Sequence, residues 1–470
     1  MHLTLISPFF NNIYGRTQAK VLVFPPLNLP IIASLTPPDV EVSIIDENIE
    51  ELDFDQAATD LVGITAMTAQ ATRAYEIADE LRSRGSKVVL GGMHPSVMPE
   101  EAGEHADAVV IGEAEGQWEQ VMADFRNGGL RPLYQSPTRP TMAGLPIPRR
   151  DLLKQNEYIV DNMIQIVRGC HFRCNFCSVN KVFGDRCRFR PVDEVVQEVE
   201  QLRGDRFRSR FFGIMDDNVV TNSTHATELF QRLKALDIIW AGQAPLSVAD
   251  QPETLRLLGE SGCKALFVGL ESTSPEALRE CKKSWLKPTD YREKIQRFHD
   301  HGIAVHGAFI FGFDADDESV FERTVQFADS IKIDSAQFAI LTPFPGTDLR
   351  AQLEAEGRIL SSNWEEYGLD EVVFQPKRMS PERLQEGYHW AWREFYNLRR
   401  IGLRTLAAYR RVRSMFPILV FQMQYRKLIR HREKVRMEPE NRLNFLRSRI
   451  KLPKLVRKNE ESAQDRLLTH

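Results

Sequence analysis

The chain contains only six cysteines in 470 residues, and none before residue 170. That is too few, and too uneven a placement, for a disulfide framework. It lacks an apolar run of the ~18 residues that a membrane span requires. Its first residues, MHLTLISPFF, show no basic stretch leading into a long apolar one, which argues against a secretory signal. The expected location is therefore cytoplasmic. There is no internal repeat and no low-complexity tract, which leaves ordinary globular domains. With 42% hydrophobic and 27% charged residues the composition is that of a soluble protein, and the length suits two to four domains.

A net charge of −4 conceals an asymmetry. From Arg399 to Lys458 there are 19 Lys and Arg against 3 Asp and Glu, so this stretch carries +16 and the remainder −20. A basic tail on an acidic body points to an anionic partner for the tail.

Residues 1–130 alternate short apolar runs with helical patterns. Strands are expected at Leu3–Ile6, Val42–Ile45, Leu61–Thr65, Val88–Leu90 and Ala108–Ile111. Ala71, Ala74, Ile77, Ala78 and Leu81 fall at helical spacing and the pattern stops at Gly85. This is the signature of a doubly wound parallel sheet, whose ligands sit beyond the carboxyl ends of the strands. Residues 131–160 carry five prolines and read as a linker. From residue 161 the alternation resumes, with strands expected at Met163–Val167, Phe211–Met215, Ile238–Gln243, Ala265–Leu270, Ala304–Phe311 and Ala336–Leu341. Six strand–helix units over 161–349 suit a parallel barrel, open or closed, with functional residues just after the strands. Residues 350–398 read as a mixed cap and 399–470 as a basic, mostly helical C-terminal region with a frayed end.

At the end of the first barrel strand stands Arg168-Gly-Cys170-His-Phe-Arg-Cys174-Asn-Phe-Cys177. Three thiolates so spaced can hold three irons of a 4Fe–4S cube and leave the fourth open to a small chelating molecule. A zinc site completed by Cys187 or His171, or a closed four-cysteine cluster using Cys187, are the alternatives. Cys187, Cys263 and Cys281 otherwise read as ordinary cysteines. The CxxxCxxC spacing with an aromatic before the last cysteine resembles the signature of the radical S-adenosylmethionine (SAM) superfamily, over about 163–345. That resemblance implies a partial (βα)6 barrel and places Phe176 against the SAM adenine. It implies SAM contacts from Asp216 and Asp217, after the strand ending at Met215, near the amino group. Glu271 falls where relatives hold the ribose, and Ile310 on an adenine-contacting strand. An N-cap is the plainer reading of the two aspartates, and Thr342-Pro-Phe-Pro-Gly-Thr347 matches a turn of many relatives.

Val88-Val-Leu-Gly91-Gly92-Met-His-Pro95 and Ala108-Val-Val-Ile-Gly112-Glu113-Ala-Glu115 end two strands of the first domain. They resemble the cobalamin-binding domain fused to many radical SAM enzymes, and imply cobalamin contacts at Thr65, Met67, Gly91, Gly92, Gly112 and Glu113. The turn that carries a cobalt-ligating histidine in many cobalamin domains reads Asp46-Glu47-Asn48 here. His94 is the nearest alternative, though a loop role is the simpler one.

The resemblance implies an enzyme that cleaves SAM reductively to a 5′-deoxyadenosyl radical, foremost a cobalamin-dependent methyltransferase acting on an unactivated carbon. A radical SAM cyclase or rearrangement enzyme, and a non-enzymatic cobalamin or cluster carrier, are the other readings. The implied partners are a small-molecule or lipid substrate and a flavodoxin- or ferredoxin-type reductant. The stretch Arg410–Arg432, with arginines and lysines around Met415–Phe421, is read as a helix packed on the barrel, as a peripheral membrane contact, or, least favoured, as a nucleic-acid contact.

Overall fold

The computed structural model describes residues 1–10, 23–204, 208–214, 216–412, 419–420 and 422–429. Its first sheet is built from β1 (His2–Ser7), β2 (Glu41–Asp46), β3 (Leu61–Thr65), β4 (Lys87–Gly91), β5 (Ala108–Ile111) and β6 (Leu133–Gln135), all parallel, in the order β2-β1-β3-β4-β5-β6. Parallel strands need both faces covered, so their sequences are nearly continuous apolar runs. One face buries Ile6, Val62, Ile64 and Leu90 against the helix Ala71–Ser83. The other buries Leu3, Leu5, Leu61 and Val89 against Leu29, Trp118 and Val121. The sixth strand falls within the stretch expected to be a linker. Tyr134, buried between two exposed neighbours, anchors this short edge strand through its hydroxyl, which donates to Asp124 at 3.0 Å.

The second sheet comprises β7 (Asn162–Ile164), β10 (Phe211–Ile214), β11 (Ile239–Gln243), β12 (Cys263–Glu271), β13 (Ala304–Phe311) and β14 (Ser335–Ile340), all parallel and in sequential order. Together with the first sheet this is the mixed α/β architecture expected, a doubly wound domain leading into a six-stranded partial barrel. Along β12 and β13 burial alternates. Leu266, Val268, Leu270, Val305, Phe309 and Phe311 are buried under helices, while Phe267, Gly269, His306, Ala308 and Ile310 stay half-buried on the opposite, inner face.

The expected first barrel strand, Met163–Val167, divides. After β7 the chain leaves the sheet because the Asp216 carboxylate, not a neighbouring strand, accepts the Ile166 N–H at 2.8 Å. It then forms an antiparallel pair, β8 (Val167–Arg168) with β9 (Arg188–Phe189). The cysteine loop hangs between these two short strands. Met215 lies outside the described residues.

In the cap, Ile359 bridges Phe374, and the helix Pro381–Phe395 packs on β14, with the Tyr396 hydroxyl donating to Ala336 O at 2.6 Å. The basic region begins with the helix Leu398–Val412. Residues 419–420 and 422–429 are also helical, and Tyr425 stacks on His306 at 5.8 Å, Trp392 and Tyr396. The described part of this region therefore packs on the barrel. Residues 413–418, 421 and 430–432 of the expected contact stretch Arg410–Arg432, Pro417 among them, lie outside the described residues, as does the expected frayed end. No helix among the described residues is long and apolar enough to cross a membrane.

Candidate active site

Gly169 opens the cysteine loop at φ +88°, with a Cβ position that would fall 2.7 Å from Arg186 O, so only glycine allows the turn. Asn180 donates to Phe172 O at 2.8 Å, Cys187 Sγ to Gly169 O at 3.4 Å, and Arg173 pairs with Asp185. Asn175 donates to Glu280 O at 3.1 Å and its own carbonyl accepts from Leu349 N at 3.0 Å, which ties the loop to segments after β12 and β14. Cys170, Cys174 and Cys177 are free and half-buried, on one loop at the barrel mouth. Burial pushes the Cys170 thiol up to about 11, that of Cys177 to about 12, and that of Cys174 upward as well. Such thiols stay protonated at neutral pH until a strongly cationic group displaces the protons. Among the described residues no three His, Cys, Asp or Glu side chains are gathered to hold a single metal ion. A polynuclear cluster spreads its thiolates more widely, and the donor set fits one. Phe176 lies half-buried against the barrel core beside the last cysteine.

The segments after β10 and β12 face this loop. Asp216 is fully enclosed, and burial raises it to about 7 although the backbone of Ile166 and Val167 opposes the rise. Burial likewise lifts Asp217 to about 6, against a hydrogen bond from Gly169. Glu271 ends β12 at φ +59° and accepts a 2.5 Å hydrogen bond from Lys283 Nζ. Burial works against the Lys283 charge, but Glu271 and Cys174 hold its pKa above that of an ordinary lysine. Ile310 sits on the inner face of β13. Asn175 Oδ1, Asp216 Oδ2, Asn218 Nδ2 and Thr273 Oγ1 are buried there without a hydrogen-bond partner. Buried polar atoms so left cost about 1–3 kcal/mol each unless a ligand meets them, so the mouth fits a polar guest such as SAM.

The carboxyl ends of β3, β4 and β5 form the other side. Gly92 has φ +98°, and a Cβ there would meet Ala66 N and Thr65 Oγ1 at 2.8 Å. Thr65 Oγ1 accepts from Asn28 at 2.8 Å, and Met67 is exposed. Ser96 donates to Gly92 O at 2.6 Å and accepts from Gly112 N at 2.8 Å, which joins two of the glycine turns. Nothing lies within 4 Å of the Cβ position at Gly112, and Gly91 meets only ordinary contacts. This open, glycine-lined edge fits a bulky cofactor lying along the strand ends. His94 is fully buried, hydrogen-bonded to Glu101 at 3.3 Å and packed edge-on to Trp364 of the cap. The Asp46 turn is closed by Asn48 and by a hydrogen bond from Tyr158 at 3.2 Å.

Glu113 has a more definite place. Both its oxygens are taken by guanidinium groups of the barrel: Arg168 at 2.7 Å, and Arg188 at 2.8 Å and 2.5 Å. Arg168 also pairs with Glu115. This buried knot fastens the first domain to the strand that enters the cysteine loop. The sequence reading did not single out Arg168, Arg188, Ser96 or Lys283. Only Arg168 carried a local signal, a basic residue two positions before the first cysteine.

A parallel glycine-edged domain joined to a six-stranded partial barrel with three thiols at its mouth defines an enzyme of cofactor-borne chemistry. A family model for the radical SAM superfamily matches residues 164–328, and one for the B12 binding domain matches 21–122. Bacteriochlorophyllide d C-12(1)-methyltransferase of Chlorobaculum tepidum is 31% identical over 380 residues, 79% of this chain and 82% of that protein. The anaerobic magnesium-protoporphyrin IX monomethyl ester cyclase of Rubrivivax gelatinosus is 25% identical, over 76% of this chain and 70% of its own. The radical SAM methyltransferase TsrM from Kitasatospora setae, solved with cobalamin and a 4Fe–4S cluster, superposes with a TM-score of 0.63 at 18% identity, covering 82% of this chain and 85% of that one, and so shares the fold. The chain belongs to the radical SAM superfamily, among the members that carry a B12-binding domain. It is an enzyme whose cofactors are a 4Fe–4S cluster, SAM and cobalamin; such enzymes act on small molecules and require a reductant.

Proposed function

We propose that this enzyme is a cobalamin-dependent radical SAM methyltransferase that methylates an unactivated carbon of a large, mostly apolar molecule. The observation that carries the reading is the pairing, in one chain, of the B12-binding domain with the barrel, at 31% identity to a methyltransferase over most of both chains. When bound, the three cofactors supply one-electron cleavage of SAM and a transferable methyl group.

The chain supplies the rest. Cys170, Cys174 and Cys177 hold the cluster. Phe176 and Ile310 offer apolar surface to the SAM adenine, and Glu271 accepts from its ribose hydroxyls. Lys283, fixed by Glu271, places a positive charge beside the cysteines, suited to the SAM carboxylate. Asp216 and Asp217 face the SAM ammonium, and that charge favours their ionised forms over the neutral ones that burial favours. Thr65, Met67, Gly91, Gly92 and Gly112 line the cobalamin, and Glu113 braces that edge against the barrel. The inner barrel face, with Phe267, Ala308 and Ile310 half-buried, gives an apolar substrate a wall that excludes water.

A bacteriochlorophyllide and a magnesium-protoporphyrin ester are both broad ring systems with apolar faces, which supports that substrate class. The second relative also supports a cyclase as the alternative reading. A peripheral contact of residues 399–458 with an anionic membrane fits an apolar substrate. The helix Leu398–Val412 presents Leu398, Leu403 and Leu406 to solvent at 59%, 61% and 53% exposure, among arginines.

The test is anaerobic reconstitution with iron, sulfide and hydroxocobalamin, then SAM, a strong reductant and candidate ring substrates. The expected outcome is 5′-deoxyadenosine and a stoichiometric methylated product, both lost in Cys174→Ala, with cobalamin retained through gel filtration. 5′-Deoxyadenosine with a cyclised, unmethylated product selects the alternative. A loaded cluster that never cleaves SAM with any substrate refutes both.

A further inference from the structure

The outer side of the cysteine loop carries a feature that the reading above does not use. His171 and Phe172, between the first two cysteines, lead into an aromatic stack. The His171 and Phe172 rings lie 4.1 Å apart, and Phe172 stacks on Trp285 at 4.8 Å with only 17° between the planes. Trp285 is 37% exposed, and His171 is exposed as well. A tryptophan left partly open to water against the loop of the candidate cluster is surface that gains by being covered.

Charge surrounds the stack. Residues 170–187 hold three basic residues (Arg173, Lys181 and Arg186) against one acidic, Asp185. Residues 281–292 present three (Lys282, Lys287 and Arg292) against one, Asp290, the fourth, Lys283, being turned inward onto Glu271. The two segments are drawn together at Asp348, which Lys181 reaches at 3.2 Å and Lys282 at 2.9 Å. Outside its C-terminal tail the chain is strongly acidic, at −20, so this is a basic island on an acidic body. Long-range attraction to such an island favours a partner of opposite charge and orients it before contact.

From this geometry we infer that the Phe172–Trp285 stack and the lysines around it form the docking surface for an acidic protein that carries one electron on a flavin or iron–sulfur centre. The inference rests on the proposed cluster at Cys170, Cys174 and Cys177. One electron passes from the reduced carrier to the cluster, and the carrier leaves oxidised by one electron. The stack is built on the cysteine loop itself, since Phe172 lies between Cys170 and Cys174, so a donor seated on the exposed Trp285 stands against that loop. The aromatics supply an apolar centre and the lysines a charged rim, the arrangement of a short-lived protein contact.

The test is stopped-flow bleaching of the cluster absorbance in the reconstituted full-length protein, with flavodoxin hydroquinone as one reductant and dithionite as the other. Trp285→Ala and Lys287→Glu each slow reduction by flavodoxin about tenfold and leave the iron content and the dithionite rate unchanged. Added salt slows flavodoxin with the unaltered protein more than with Lys287→Glu. Flavodoxin rates equal to those of the unaltered protein overturn the inference. Equal slowing with both reductants overturns it too, because the loop and not docking is then affected. Either result leaves the proposed function standing. A protein that yields no reducible cluster at all overturns both.

Discussion

Replacing Glu113 by alanine tests how the two domains are held together. The carboxylate is almost wholly buried and faces two guanidinium groups, Arg168 at 2.7 Å and Arg188 at 2.8 Å. At an effective dielectric of ~20 and a charge separation of ~4 Å, each pair is worth about 4 kcal/mol of attraction, much of it offset by the cost of taking the charges out of water. Removing one partner of a buried pair generally costs about 3–5 kcal/mol, because the remaining charge stays buried. Here the stranded guanidiniums keep other acceptors. Arg168 retains Glu115 and Gln165, and Arg188 retains the carbonyl of Pro140 at 2.7 Å and that of Phe183 at 3.2 Å. The expected loss is therefore at the low end, about 3 kcal/mol for Glu113→Ala, and less for Glu113→Gln, which still accepts one hydrogen bond. The assay is urea denaturation of the two variants and of Arg168→Met alone and combined, closed as a double-mutant cycle. A loss below about 1 kcal/mol for Glu113→Ala, or no coupling between Glu113 and Arg168, refutes the reasoning.

Three further outcomes are expected. Gly92→Ala forces a side chain against Ala66 and Thr65 at a φ of +98°; it should cost about 3 kcal/mol and release cobalamin on gel filtration, and a variant as stable and as well loaded as the parent contradicts this. Lys283→Met leaves the Glu271 carboxylate buried without its partner and should weaken SAM binding at least about tenfold by equilibrium dialysis while iron content stays unchanged. Burial holds the His306 imidazole down at about 4, below its ordinary 6.5, so the unfolded chain binds the extra proton between those values. Stability should then fall by up to about 3 kcal/mol as the pH drops from ~6.5 to ~4, and melting curves of His306→Gln should lose that part of the dependence.

The periodicity of the chain determined most of its elements. A run such as Leu61–Thr65 can be buried on both faces only as a parallel strand under helices, while the alternation along Ala304–Phe311 buries one face and leaves the other half-buried, and both lie where the pattern puts them. That three cysteines share one loop was legible for a related reason: residues so closely spaced are held together by local chain geometry, which the sequence states directly. The edge strand Leu133–Gln135 was not legible, because three residues among prolines carry no pattern and are recruited by the open side of β5.

What only the tertiary structure decided are the relations between distant segments. Asp216 breaks the first barrel strand by capturing the Ile166 N–H, fifty residues earlier. Glu113 meets Arg168 and Arg188 across 55 and 75 residues, and Lys283 meets Glu271 behind the cysteine loop. No local spacing announces such pairs. A charge finds its partner only when packing has removed the water that would otherwise solvate it, and which partner is then within reach is set by how two sheets dock, not by the order of residues along the chain.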